Sequence, residues 1–201
     1  MNRTAAAFIC AGIVIAWGCS GPARQTQGRT LRVAIEQDVK TLNPLLASST
    51  VDGFVQRLMF EPLVSADEHG RPVPILATAV PSASNGGISP DGLTITYHLR
   101  KGAKWSDGIA ITSNDVKFSW KAILNPQNNV VSRHGYDGVA GIDTPNPQTV
   151  VVHLKRRFAP FVNTFFGESD QPYAIVPAHV LSKYADMNRV SFDEHPSVTD
   201  G

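Results

Sequence analysis

The sequence predicts a mixed α/β fold, and three stretches carry that prediction. Leu93, Ile95, Tyr97 and Leu99 alternate with Thr94, Thr96, His98 and Arg100, the period of a half-buried strand. Val150, Val152 and Leu154 repeat the pattern against Thr149, Val151 and His153. Between them Val116, Trp120 and Ile123 fall on one helical face behind a Thr112–Asp115 capping pair, and Asn125-Pro126 stops that helix.

The remaining elements follow in chain order. Leu31 to Ile35 alternates and predicts an opening strand, which Asn43-Pro44 breaks off. Thr50 is expected to cap a helix in which Val51, Val55, Leu58 and Met59 form a core-facing stripe. Glu61-Pro62 ends it, because the residue before Pro is pushed out of the α region. Gly70-Arg71-Pro72 reads as a turn, and Asn85-Gly86-Gly87 as the loosest hairpin loop. In Ser89-Pro90-Asp91-Gly92, Pro presets φ at the second position of a type I turn and Gly takes the fourth. Asp107-Gly108 builds another turn, with Trp105 packed inside. Asp143-Thr144-Pro145-Asn146-Pro147 reads as the turn that delivers the strand at 149–154. Phe161, Phe165 and Phe166 have helical spacing behind Pro160, and Pro177 opens a short helix through Leu181 and Tyr184.

Composition narrows the function classes. The 201 residues are 42% hydrophobic and 17% charged, with a net charge of +1. Nucleic acid is not expected as a partner, since phosphate binding needs a concentrated basic face. Lys155-Arg156-Arg157 is the sole basic cluster and reads as a solvated strand end. Residues 1–18 read as an export signal: Arg3 starts it, and the apolar run Ala5 to Trp17 is short of the ~20 residues a membrane span needs. Ala16-Trp17-Gly18-Cys19 is similar to a bacterial lipobox, which makes Cys19 the expected lipidation site; cleavage near Ala23 is the alternative. Cys10 leaves with the signal, so no intramolecular disulfide is open to the mature chain. Polar residues 19–29 suit a flexible tether.

No catalytic constellation emerges, and no cofactor is expected. The six histidines lie in separate elements without a zinc-holding helix. Gly167-Glu168-Ser169-Asp170-Gln171 lacks the second Gly of a nucleophile elbow. The glycine-rich run Gly135 to Gly141 lacks the Lys-Ser/Thr of a phosphate loop.

Six segments in order carry a family likeness: Thr41-Leu42-Asn43-Pro44, Phe60-Glu61-Pro62-Leu63-Val64, Pro74-Ile75-Leu76-Ala77-Thr78, Leu99-Arg100-Lys101-Gly102, Trp105-Ser106-Asp107-Gly108 and Asp115-Val116-Lys117-Phe118-Ser119. Together they resemble the extracellular solute-binding proteins of peptide and nickel ABC importers, family 5. The resemblance implies a periplasmic-binding-protein type II-like fold, of which this chain is the N-terminal part of a multi-lobe protein. Residues 30–61 would open the large lobe, 62–185 form a smaller α/β lobe, and 186–201 return towards the first. Less than half of such a protein is present, so the piece alone is expected to be poorly soluble or partly folded. The implied partners are a peptide or small solute, an ABC permease and ATPase complex, and the membrane through a lipid on Cys19, in the periplasm or at the cell surface. Three segments should line the ligand cleft: Ala47 to Asp52 with Ser48, Val51 and Asp52; His134 to Asp137 with Tyr136; and Glu168 to Tyr173 with Asp170 and Tyr173. The first loop has neither Met nor His, which favours a peptide over nickel, and no metal site is expected. The alternative is a peptide-sensing or structural lipoprotein of the same fold without a transport role.

Overall fold

A computed structural model describes residues 32–167, 174–184 and 186–190. Every regular element of the described residues lies within the compact unit Ile35–Gly201. In chain order these are α1 (Thr50–Gln56), β1 (Val64–Ala66), β2 (Pro72–Pro74), β3 (Thr94–His98), α2 (Ser113–Leu124), β4 (Val139–Asn146), β5 (Thr149–Leu154), α3 (Phe161–Thr164), α4 (Ala178–Leu181) and a 3₁₀ turn (Met187–Arg189).

The main sheet is antiparallel in the order β3-β5-β4, with Tyr97 opposite Val150 and Ile142 opposite Val152. Its buried face presents Ile95, Tyr97, Val150, Val152 and Leu154, as the alternation predicts. α2 packs on that sheet. At its start the Thr112 N–H and hydroxyl both donate to one Asp115 carboxylate oxygen, at 2.7 and 3.1 Å. A short Asp therefore does reach back to the cap. Its other oxygen accepts the Ala178 N–H at 2.9 Å, which ties α4 to the start of α2.

β4 departs from the sequence reading, which has a turn at 143–147. The strand runs through Asp143 to Asn146, and the chain reverses at Pro147-Gln148. β4 pairs only with β5 and slips register between Val139 and Gly141 and between Asp143 and Asn146. An irregular edge strand tolerates the Gly and Pro that argue against a central one. Of the expected opening strand Leu31–Ile35, Leu31 lies outside the described residues, and 32–35 take no strand assignment, with Val33 and Ile35 exposed. Among the described residues no strand pairs with them, and a strand needs a partner.

One core joins residues from Leu45 to Val190. At its centre Tyr97, Tyr136, Phe161, Phe165 and Phe166 are fully buried, with Phe161 stacked on Phe165 at 4.8 Å between centroids. Only four residues of the predicted 159–166 helix are helical. The chain leaves that helix through Phe166 at a φ of 46°, a left-handed conformation that costs an aromatic residue energy. The Phe166 N–H donates to the Tyr136 hydroxyl at 3.0 Å, and its carbonyl accepts the Leu63 N–H at 2.8 Å. Those bonds hold the conformation and carry the β1–β2 hairpin onto the core. At the far end Asn43 is buried, and its amide donates to the Met187 and Val190 carbonyls at 3.1 and 3.3 Å.

Candidate functional site

The site is built from the segment 40–57. Ser49, not Thr50, caps α1: its hydroxyl accepts the Asp52 N–H at 3.1 Å. Asp52 and Gln56, one turn apart, then point inward and are fully buried. Asp52 accepts the Lys40 N–H at 2.8 Å. Gln56 donates to the Thr41 and Asn43 carbonyls at 3.1 and 3.3 Å. Two polar side chains thus moor the loop 40–45 to the helix. The second Asp52 oxygen and the Gln56 amide oxygen have no hydrogen-bond partner among the described residues. Burial pushes the Asp52 carboxyl up, but bonds from Lys40, Ser49, Thr41 and Ser48 outweigh it and hold it below the usual carboxylate range.

The inward face is polar, and Phe54 of α1 and Leu58 just beyond it stand outward. Phe54 is 62% exposed and Leu58 72% exposed. Of the expected core-facing stripe, Val51 and Val55 are half-buried, Met59 packs against the core and Leu58 is exposed, because the buried polar pair takes the innermost positions. Beside the outward face lies a cavity of about 330 Å³ lined by Ala47, Ser48, Ser49, Thr50, Gly53, Phe54, Arg57 and Val131. Phe54 and the 57% exposed Val131 supply its large apolar side chains, and three hydroxyls and a guanidinium its polar ones. Val131 belongs to the loop after α2, which Arg133 clamps by donating to the Ile123, Asn125 and Asn128 carbonyls at 2.9, 3.0 and 2.7 Å. An apolar wall with a few placed polar groups is the make-up of small-ligand sites, and it holds no nucleophile–base pair.

The residues expected to line a cleft fare differently. Ser48 lines the cavity. Val51 is half-buried and outside the lining. Asp52 is corrected to a mooring residue, since its carboxylate faces the loop rather than solvent. Tyr136 is corrected to a core residue: it is fully buried, with its ring 5.4 Å from that of Phe165. Asp170, Tyr173 and Cys19 lie outside the described residues. Phe54, Arg57 and Val131 escape the sequence reading. Inward Asp52 and Gln56 would have placed Phe54 and Arg57 on the outer face, but the apolar stripe pointed the other way.

Two other features are accounted for structurally. Gly108 adopts a φ of 88°, Asp107 accepts the Ile109 N–H at 3.0 Å, and Trp105 is buried, as that turn predicts. His179 meets Asp107 at 2.8 Å, and that bond, with the Ile109 N–H, holds the Asp107 carboxyl below its ordinary value. Among the described residues no group of three or more His, Cys, Asp or Glu side chains could hold a metal ion. None of their helices is long and apolar enough to cross a membrane.

Comparison with known proteins bears on the family and the fold. Residues 71–199 match the family "Bacterial extracellular solute-binding proteins, family 5 Middle". Protein XP55 of Streptomyces lividans is 32% identical over 176 residues, 88% of this chain and 29% of its own length. The oligopeptide-binding protein OppA of Bacillus subtilis is 33% identical over 114 residues, 56% of this chain and 19% of its own. Among solved structures, NikZ from Campylobacter jejuni in complex with Ni(L-His) superposes with a TM-score of 0.67 at 27% identity, covering 81% of this chain and 30% of that one. The chain therefore spans less than a third of the length of these relatives. With a matching fold and a match across most of its length, the chain belongs to family 5 of the bacterial extracellular solute-binding proteins, which have the periplasmic-binding-protein type II-like fold.

Proposed function

We propose that this chain forms part of the extracytoplasmic substrate-binding component of an ABC importer, which captures a peptide and delivers it to the membrane permease. One observation supports the reading most: the cavity beside α1, where Phe54 and Val131 stand exposed around a rim of hydroxyls. Two large apolar side chains exposed around one cavity suit a binding surface. The oligopeptide-binding relative points to a peptide, and the loop 45–50 offers no soft or imidazole ligand for nickel. Chemistry on the solute is not part of the role; capture works by exclusion of water and hydrogen bonding, with a permease and ATPase as partners. Closure of the lobes over the solute would report the loaded state.

Isothermal titration of the complete protein with peptides of two to five residues tests this. Saturable binding without cleavage of the peptide is expected; no binding to any peptide, or turnover, overturns it. Uptake lost on deletion of the gene separates import from sensing. Lipidation at Cys19 belongs to the same proposal, and an unmodified N-terminus beyond Cys19 in membrane-fraction mass spectrometry refutes it.

A further inference from the structure

The cavity beside α1 takes its lining from two distant stretches of chain, the segment around residues 47–54 and Val131. Both stretches are tied by hydrogen bonds to one residue, Met187. From the first, Gln56 donates to the Asn43 carbonyl at 3.3 Å, and the Asn43 amide donates to the Met187 carbonyl at 3.1 Å. From the second, the Asn128 side-chain oxygen accepts the Met187 N–H at 3.1 Å, and the Asn128 carbonyl accepts from Arg133 at 2.7 Å. Val131 sits between Asn128 and Arg133, so its loop is held on either side. Gln56, Asn43, Asn128 and Met187 are all buried.

The neighbours of Met187 repeat both ties. Val190 gives Asn43 a second carbonyl at 3.3 Å. The Asn188 side chain accepts the Asn129 N–H at 2.8 Å and donates to the Gln127 carbonyl at 2.7 Å. Asn suits such a junction because one amide both donates and accepts, where Asp accepts only. Asn43 also accepts the Leu45 N–H, and Asn128 also donates to the Ala122 carbonyl at 2.7 Å. A buried polar network satisfied in this way is stiff, and truncating Asn128 removes the acceptor of a buried N–H.

We propose that Met187 is a bridge fixing the two stretches that line the cavity relative to each other, with Asn43 and Asn128 as positioning residues on either side of it. The effect on ligand affinity rests on the peptide-capture reading; the mechanical coupling does not.

The complete protein is tested by hydrogen exchange and by titration with alanine peptides of two to five residues. Asn128→Ala should speed exchange at residues 40–46, and Asn43→Ala at 125–133, each about tenfold, although neither Asn bonds to the other's segment. Val152→Ala, a buried sheet residue outside this chain of bonds, should do neither. In the wild-type protein at low denaturant the two segments should open as one unit. Each Asn variant should weaken peptide binding about tenfold, and the double variant should lie within about twofold of the singles, since one break already uncouples the walls. Separate openings, no cross-effect, or the same loosening from Val152→Ala overturn the bridge. Additive losses of affinity overturn it as well. A wild-type protein that binds none of the peptides overturns peptide capture instead, and exchange alone then decides the bridge.

Discussion

In α2 the buried polar groups are all spoken for: Ser119 donates to the Asp115 carbonyl and accepts the Val176 N–H, at 2.7 and 2.8 Å, beside Val116, Ala122 and Ile123. In α1 the buried groups are Asp52, Gly53 and Gln56, two of their oxygens find no partner among the described residues, and Phe54, like Leu58 just after the helix, faces water. One helix is shaped by packing on a sheet. The other trades core contact for a moored loop and an outer surface.

The largest break in that comparison is a core cut on the α2 side. Ile123→Ala should cost about 2–5 kcal/mol, whereas Leu58→Ala, on the outer side of the α1 region, should stay within about 0.5 kcal/mol. Urea denaturation of the complete protein measures both; equal costs would mean that the chain end of α1 is a packed element after all.

A smaller effect sharpens the contrast at Asp52. Its carboxyl lies below the ordinary value in the folded state, so its contribution is present above the unfolded value of about 3.9 and is lost as pH falls through the lower, folded one. Asp52→Asn should therefore lower stability near neutral pH and flatten the acid-side decline, seen in melts at about pH 3 and about pH 7. An unchanged acid slope would place the titration elsewhere, with Asp107 as the next group to test.

The smallest stability effect falls at Phe54. Phe54→Ala should shift stability by no more than about 0.5 kcal/mol yet weaken peptide binding about tenfold, read by titration. A large destabilisation would make Phe54 structural.

How much of this was legible in the sequence depended on where each element takes its instructions. The turn at Ser89–Gly92, the strand after it, the Thr112 cap and the Pro177 helix start are written in local chemistry, and all appear. The Asn85 loop, read as loose, is in fact tied: the Asn85 side chain accepts from Ser82 and Gly87 and donates to Val80. For α1 a stripe of Val51, Val55, Leu58 and Met59 outvoted Asp52 and Gln56, because periodicity weighs apolar residues and cannot see a distant loop that needs mooring. Tyr136 was missed for a similar reason. Its partner, the Phe166 N–H, lies 30 residues away. The loop around residues 47–52 was found, but the neighbours that complete the cavity, Arg57 and Val131, come from the helix end and from a second loop.

Asn43 carries a consequence for synthesis. Its amide protons reach carbonyls 144 and 147 residues downstream. During translation, then, the β3-β5-β4 sheet has all its strands long before Asn43 can meet Met187 and Val190. The moored loop is therefore tied down at Asn43 only after the strands of the sheet have been made.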